Sequence, residues 1–85
     1  MTPMTKEEIQ KIINSFLIEE FEIEKGQIRP EARLKDDLGL ESLDFVDIAV
    51  IVQKEFGITL KGEEMTGIRT LQDLYRYIFS TINKK

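Results

Sequence analysis

Ser42 is the residue whose surroundings most clearly indicate chemistry, because its hydroxyl stands between a glycine-containing loop and the start of an apolar helical pattern. The run over positions 36–47 reads Asp-Asp-Leu-Gly-Leu-Glu-Ser-Leu-Asp-Phe-Val-Asp. A side chain at a helix N-terminus lies among backbone N–H groups that lack helical partners, at the positive end of the helix dipole, and both features favour a phosphate. The sequence therefore predicts that Ser42 is placed to carry a phosphate-linked modification.

Catalysis by the chain itself is disfavoured by the residue types that the sequence lacks. Its 85 residues include no histidine, the most common general base near neutral pH, and no cysteine. The segment from Gly39 to Leu43 also departs from the Gly-x-Ser-x-Gly pattern of serine nucleophiles, so we expect no enzyme and no catalytic residue. The clustered acids do not reproduce the spacing of a calcium-binding loop, and we expect no metal site. If the chain carries a thioester, the sulfur has to belong to an attached cofactor.

The negative charge of the chain is concentrated around Ser42. The net charge is −4, and residues 36–53 contain five acids and no Lys or Arg, so this segment carries −5 and the rest of the chain +1. Such a field attracts partners with basic patches and repels nucleic acid. Acids near a helix start also complement the dipole, although Asp36 and Asp37 lie too far upstream for that explanation. No signal peptide or run of about 20 apolar residues is found, which predicts a cytoplasmic protein without a membrane span.

Hydrophobic periodicity predicts an all-α fold, a four-helix bundle with a long loop between helices 1 and 2 and a short third helix. We expect one domain over residues 1–85, with residues 1–4 flexible. Thr5 and Glu8 form a Thr-x-x-Glu capping box at the start of the first helix, which should end near Glu20 or Phe21. The loop over residues 22–41 is long enough to contain a helical turn. Loops of this length are uncommon unless they have a function, which here would be to present Ser42.

The remaining elements follow from their caps and apolar faces. The second helix is predicted over residues 42–56 with Gly57 as a left-handed C-cap, the third around residues 63–66, and the last from a Thr70 cap to Lys84 and Lys85. The apolar residues assigned to the interior are Ile28, Leu34, Leu38 and Leu40 in the loop, Phe45, Ile48, Ala49, Val52 and Phe56 in the second helix, Met65 and Ile68 near the third, and Leu71, Leu74, Tyr75, Ile78 and Ile82 in the last.

The second helix also has an apolar and acidic face on the side away from its core sector. Leu43, Asp47, Val50 and Lys54 lie there, flanked by Asp44 and Val46. A helix that is apolar nearly all round is most often just the most buried element of a small bundle. The alternative is a docking face, on which acids steer a basic partner and aliphatic side chains supply contact area. Because Ser42 lies at the helix start, we favour docking.

The Ser42 segment resembles the attachment site of the acyl carrier proteins. The resemblance covers nearly the whole chain, and its sharpest parts are Asp-Leu-Gly-Leu-Glu-Ser-Leu-Asp-Phe-Val-Asp from Asp37 and the later patterns at residues 56–58 and 70–74. It implies that a holo-acyl-carrier synthase attaches 4'-phosphopantetheine to Ser42, which then carries acyl groups as thioesters for fatty acid or related lipid or polyketide biosynthesis. The docking residues that it implies for the second helix are Glu41, Leu43, Asp44, Val46, Asp47 and Val50.

The same resemblance implies the partners and the cargo space. Acyl-transferring and ketoacyl-synthase-type enzymes with basic docking patches would visit a monomeric carrier. A long acyl chain would fold into the bundle interior, in a space lined by Ile48, Val52, Met65 and Ile68.

Departures from the family pattern are local. Glu41 replaces the usual Asp, Gln53 and Lys54 replace acids, and Lys61-Gly62 replaces a turn that commonly contains proline. These changes favour a carrier dedicated to one pathway. A peptidyl or aminoacyl carrier remains an alternative, as does a helical adaptor of the same fold with Ser42 unmodified.

Overall fold

Four α-helices account for the regular structure of the chain in a computed structural model that describes residues 5–83. They are α1 (Lys6–Phe21), α2 (Ser42–Phe56), α3 (Gly62–Met65) and α4 (Leu71–Ile82), and a single 3₁₀ turn, Lys25–Gln27, lies in the long loop. No strand forms among the described residues, where one isolated bridge joins Arg33 and Thr70. The predicted all-α bundle is confirmed, and the predictions for residues 1–4 and for the two C-terminal lysines lie outside the described range.

Local capping sets the helix boundaries. At α1, Glu8 N–H donates to Thr5 Oγ1 over 3.2 Å while Thr5 N–H donates to Glu8 Oε1 over 2.9 Å, which confirms the predicted capping box. Thr70 makes the same reciprocal pair with Asp73 at the start of α4. At the end of α2, Gly57 has a φ of 72° and donates its N–H to the carbonyl of Gln53. A residue without a side chain adopts this left-handed conformation without strain, so Gly57 ends the helix where the sequence predicted.

The core lies between α1, α2 and α4, and the long loop contributes to it. The largest side chains with less than 2% exposure are Ile9, Ile13, Leu17, Leu34, Ile48, Val52, Leu71, Leu74 and Ile78. Tyr75 is also buried, and its hydroxyl donates a hydrogen bond to Asn14 Oδ1, which ties α4 to α1. The predicted interior faces are confirmed for most residues. The exceptions are only partly buried at the edge of the core, namely Ile28, Phe45, Ala49, Phe56, Met65 and Ile82.

The long loop is fixed by backbone hydrogen bonds to the start of α4 as well as by buried side chains. Leu34 N–H donates to the carbonyl of Arg69, and Leu71 N–H donates to the carbonyl of Ala32, each over 2.9 Å. Gln72 N–H donates to the carbonyl of Pro30 over 2.8 Å. These bonds join segments far apart in sequence, so a long connection that carries little helix is still held in one place.

The short helix α3 has fewer attachments. It begins at Gly62, one residue before the predicted start, and ends at Met65. Glu64 connects it to its surroundings, because one carboxylate oxygen accepts from Tyr77 Oη and the other from Lys61 N–H. Four residues are too few to be stable as an isolated helix, so packing of partly buried Met65 and buried Ile68 has to hold α3 in place.

Candidate functional site

The loop before Ser42 is shaped by a compact set of turns. Arg33 N–H donates to Asp37 Oδ2 over 2.7 Å, and the N–H groups of Asp37 and Leu38 donate to the carbonyl of Arg33. The bond from Arg33 N–H lowers the pKa of the Asp37 carboxyl, so this carboxylate stays ionised and keeps the turn closed. Gly39 then adopts a φ of 69°, a conformation that costs a residue with a Cβ about 1 kcal/mol or more. The turns bring the chain to the start of α2.

Ser42 is the first residue of α2, and it is exposed to solvent. Glu41 is the N-cap, and its N–H donates to Asp44 Oδ2 over 2.9 Å. Within residues 5–83, the backbone N–H groups of Ser42 and Leu43 have no hydrogen-bond partner. The hydroxyl therefore lies beside free donors at the positive end of a helix of 15 residues, which is the environment that the sequence predicted.

A groove of about 850 Å³ runs from Ser42 between α2 and the segment that contains α3. Its apolar lining comes from Leu34, Phe45, Val46, Ala49, Leu60, Met65 and Ile68. Basic side chains line it as well, namely Arg33, Lys35 and Arg69, with Asp36 as the acid among them. A second depression of about 580 Å³ opens on the other side of Ser42, next to Gly39 and Glu41.

The arrangement fits a long, linear prosthetic group. An exposed hydroxyl supplies the attachment atom, the helix start favours a phosphate, and a groove that is apolar in most of its lining begins beside it. Phosphopantetheine supplies a terminal thiol that carries acyl groups as thioesters, and the chain has no thiol of its own.

The groove is open at the surface and shares two residues with the interior space predicted for a long acyl chain. Met65 and Ile68 line it, whereas Ile48 and Val52 do not, because both are 0% exposed and face the centre of the bundle. The α2 side of the groove is formed by Ser42, Phe45, Val46 and Ala49, of which Phe45 and Ala49 lie at the edge of the core. The helical pattern predicted the buried sector but not which of its edges is open.

The predicted docking residues share the exposed side of the first three turns of α2. Leu43 is 79% exposed, and Val46 and Val50 are each 60% exposed, values that are unusual for three aliphatic side chains on one helix. Glu41 and Asp47 are exposed among them. Asp44 is partly buried, and its carboxylate accepts the N–H of the N-cap residue Glu41, so part of its role is structural.

Sequence reasoning missed the basic side chains that line the groove. Arg33 is near Asp36 and Asp37 in exposed ion pairs of 3.5 Å, and the i, i+3 and i, i+4 spacing of these residues was a signal for the pairing. Nothing local in the sequence indicated that Arg69 would face the same groove, because the backbone bonds around Leu34 bring its segment there.

Among residues 5–83, no helix has the length and apolar character needed to cross a bilayer.

Comparisons with known proteins agree with the geometry of the site. A family model described as "Phosphopantetheine attachment site" matches residues 11–78. The chain is similar to the meromycolate extension acyl carrier proteins of Mycobacterium bovis and of two strains of Mycobacterium tuberculosis. Identity to each is 38% over 76 residues, which is 89% of this chain and 66% of each relative. The chain thus spans just under two thirds of the length of these relatives.

Proposed function

We propose that Ser42 holds the prosthetic group of this chain, which belongs to the acyl carrier protein family with a phosphopantetheine attachment site and carries 4'-phosphopantetheine covalently. The observation that carries the proposal is the exposure of Ser42 at the first position of α2, beside unpartnered N–H groups and at the mouth of the groove. In the transfer from coenzyme A, the Ser42 oxygen would form a bond to phosphorus while the bond to the nucleotide half breaks. Because the chain lacks histidine, the hydroxyl proton would pass to a base of the holo-acyl-carrier synthase.

We propose that the chain is a carrier and not an enzyme, and that its cargo is an acyl intermediate of fatty acid or related lipid biosynthesis. The apolar lining of the groove supports an aliphatic cargo, and the relatives are named for meromycolate extension, a lipid process. Tethering through a flexible arm raises the effective concentration of such a cargo at each docked active site. A polyketide cargo shares the thioester chemistry and is the alternative that analysis of native protein would reveal.

We further propose that Glu41, Leu43, Asp44, Val46, Asp47 and Val50 form the docking face for partner enzymes. Exposed aliphatic side chains surrounded by carboxylates match the anatomy of a small interface with an apolar centre and a charged rim. The partners would be the holo-acyl-carrier synthase and acyl-transferring or ketoacyl-synthase-type enzymes with basic patches.

Incubation with coenzyme A, magnesium and a broad-specificity holo-acyl-carrier synthase tests the attachment residue. We expect wild type to gain the mass of one phosphopantetheinyl group, Ser42→Ala to gain none, and Ser80→Ala, which removes an exposed serine from α4, to behave as wild type. Mass gain in Ser42→Ala would refute the assignment. Failure of wild type with several synthases would favour a helical adaptor of the same fold.

A further inference from the structure

We propose that Lys35 binds the phosphodiester that joins the prosthetic group to Ser42, and that this contact holds the base of the arm where the groove begins. The proposal rests on Ser42 being the attachment residue. Lys35 would be a positioning residue, since it contacts the phosphate and not the thioester end where acyl chemistry takes place.

Lys35 lies at the same part of the surface as Ser42. Lys35 and Ser42 are the two residues that line both the groove and the smaller depression, so the lysine borders the same two concavities as the serine. Its side chain is exposed and forms no ion pair with the residues at positions 5–83. A flexible ammonium group that borders the same concavities as the serine is placed to approach a phosphate on its hydroxyl.

Modification of Ser42 has an electrostatic cost. A phosphodiester adds a negative charge beside Glu41, Asp44 and Asp47, and no ion pair within the described range neutralises these three acids. Like charges this close repel one another, and the free N–H groups at the helix start offset only part of that repulsion. The guanidinium of Arg33 is already near Asp36 and Asp37 at 3.5 Å. Arg69 lines the groove but not the smaller depression, so Lys35 is the basic residue that borders both concavities with Ser42 and is not already near an acid.

The two concavities beside Ser42 differ in the charges that line them. The smaller depression is lined by one cation, Lys35, and one anion, Glu41. The groove is lined by Lys35, Arg33 and Arg69 against a single acid, Asp36. Arg33 and Arg69 therefore attract a phosphate held by Lys35 towards the groove, and the arm that follows it would start along the apolar lining.

The test starts from protein whose loading is verified. Wild type, Lys35→Gln, Lys35→Arg and the control Lys54→Gln, which removes an exposed lysine near the end of α2, are each converted to the holo form and checked by mass. A wild type that cannot be loaded at Ser42 would refute the proposed function itself. The measurements below are made on loaded protein, so their failure refutes only the role of Lys35.

The first measurement is proton binding by individual lysines, followed by NMR of the side-chain carbon next to each ammonium group. Exposed ion pairs contribute about 0.2–1 kcal/mol, so loading should strengthen proton binding by Lys35 about 1.5- to 5-fold and leave Lys54 unchanged. The change should shrink at high salt because exposed charges are screened. Equal proton affinity of Lys35 in the apo and holo forms, or an equal change at Lys54, would overturn the proposal.

The second measurement is the position of the arm. In loaded wild type we expect nuclear Overhauser contacts between arm protons and the methyl groups of Ala49 and Met65, which line the groove. These contacts should weaken severalfold in Lys35→Gln and persist in Lys35→Arg and Lys54→Gln. Contacts of wild-type strength in Lys35→Gln would show that the arm enters the groove without this lysine.

Discussion

Ionisation of Tyr75 should destabilise the bundle at alkaline pH. Tyr75 is 5% exposed, its hydroxyl donates to Asn14 Oδ1, and burial raises its pKa from 10.0 to about 12. The folded protein therefore keeps the phenol proton in a pH range where the unfolded chain has lost it. When the unfolded state binds fewer protons, stability falls as pH rises.

The size of the effect follows from the shift. Its contribution is fully present below pH 10 and is lost as pH rises through about 12. A difference of two pKa units corresponds to about 2–3 kcal/mol, at about 1.4 kcal/mol per unit. For a domain of this size, each kcal/mol corresponds to roughly 4–8 °C in Tm. The loss is therefore a substantial fraction of the total stability of a small domain, which is about 5–15 kcal/mol.

Single-tyrosine variants give a clean assay, because the chain has two tyrosines and no tryptophan. Tyr77→Phe leaves Tyr75 as the only phenol, and its absorbance titration should be centred near pH 12. The pKa of Tyr77 is also raised, mainly by its hydrogen bond to Glu64, so the two phenols have to be followed separately. Urea unfolding at a series of pH values then measures the free energy of unfolding for each variant.

The decisive comparison is the pH dependence of stability. At neutral pH, Tyr75→Phe should lose about 1 kcal/mol through the missing hydrogen bond to Asn14. Above pH 10, it should lose less additional stability than Tyr77→Phe, because it has no buried phenol to ionise. Equal slopes for the two variants, or titration of Tyr75 near its ordinary pKa, would refute the reasoning.

Three further substitutions test what holds the loop before Ser42 and which face the holo-acyl-carrier synthase contacts. Leu34→Ala should cost about 2–5 kcal/mol in urea unfolding, because Leu34 is 1% exposed and fixes the loop before Ser42; a cost below 1 kcal/mol would contradict that role. Gly39→Ala should lower the free energy of unfolding by about 1–2 kcal/mol in the same measurement, because an alanine is strained at a φ of 69°. No neighbour lies within 4 Å of the added Cβ, so the cost comes from the backbone alone, and unchanged stability would show that the turn can relax. Asp47→Lys should lower the kcat/KM of the holo-acyl-carrier synthase about 3- to 10-fold at low salt, whereas Glu20→Lys on α1 should not; equal losses would show that net charge and not the docking face matters.

The parts of the fold that could be predicted from sequence are those determined by local chemistry. The capping boxes at Thr5 and Thr70 and the left-handed Gly57 involve residues at most four apart, so the helix ends were readable. The placement of Ser42 at a helix start followed from the same logic. Hydrogen bonds between residues 30–34 and 69–72 could not be predicted, since they join segments more than 30 residues apart with no pairing pattern in either. The basic lining of the groove depends on that contact and was missed for the same reason.

The two walls of the groove are held by unequal means. The wall beside Ser42 consists of α2, which is 15 residues long, and of loop residues tied by backbone bonds to the start of α4. The opposite wall contains α3, four residues long, which is held by the carboxylate of Glu64 and by partly buried Met65. Local opening takes place first where few buried contacts have to break, so widening of the groove should take place at α3 while the position of Ser42 is kept. If Ser42 carries the prosthetic group as proposed, this division would let the space for a cargo vary without changing the position of the serine that partner enzymes have to reach.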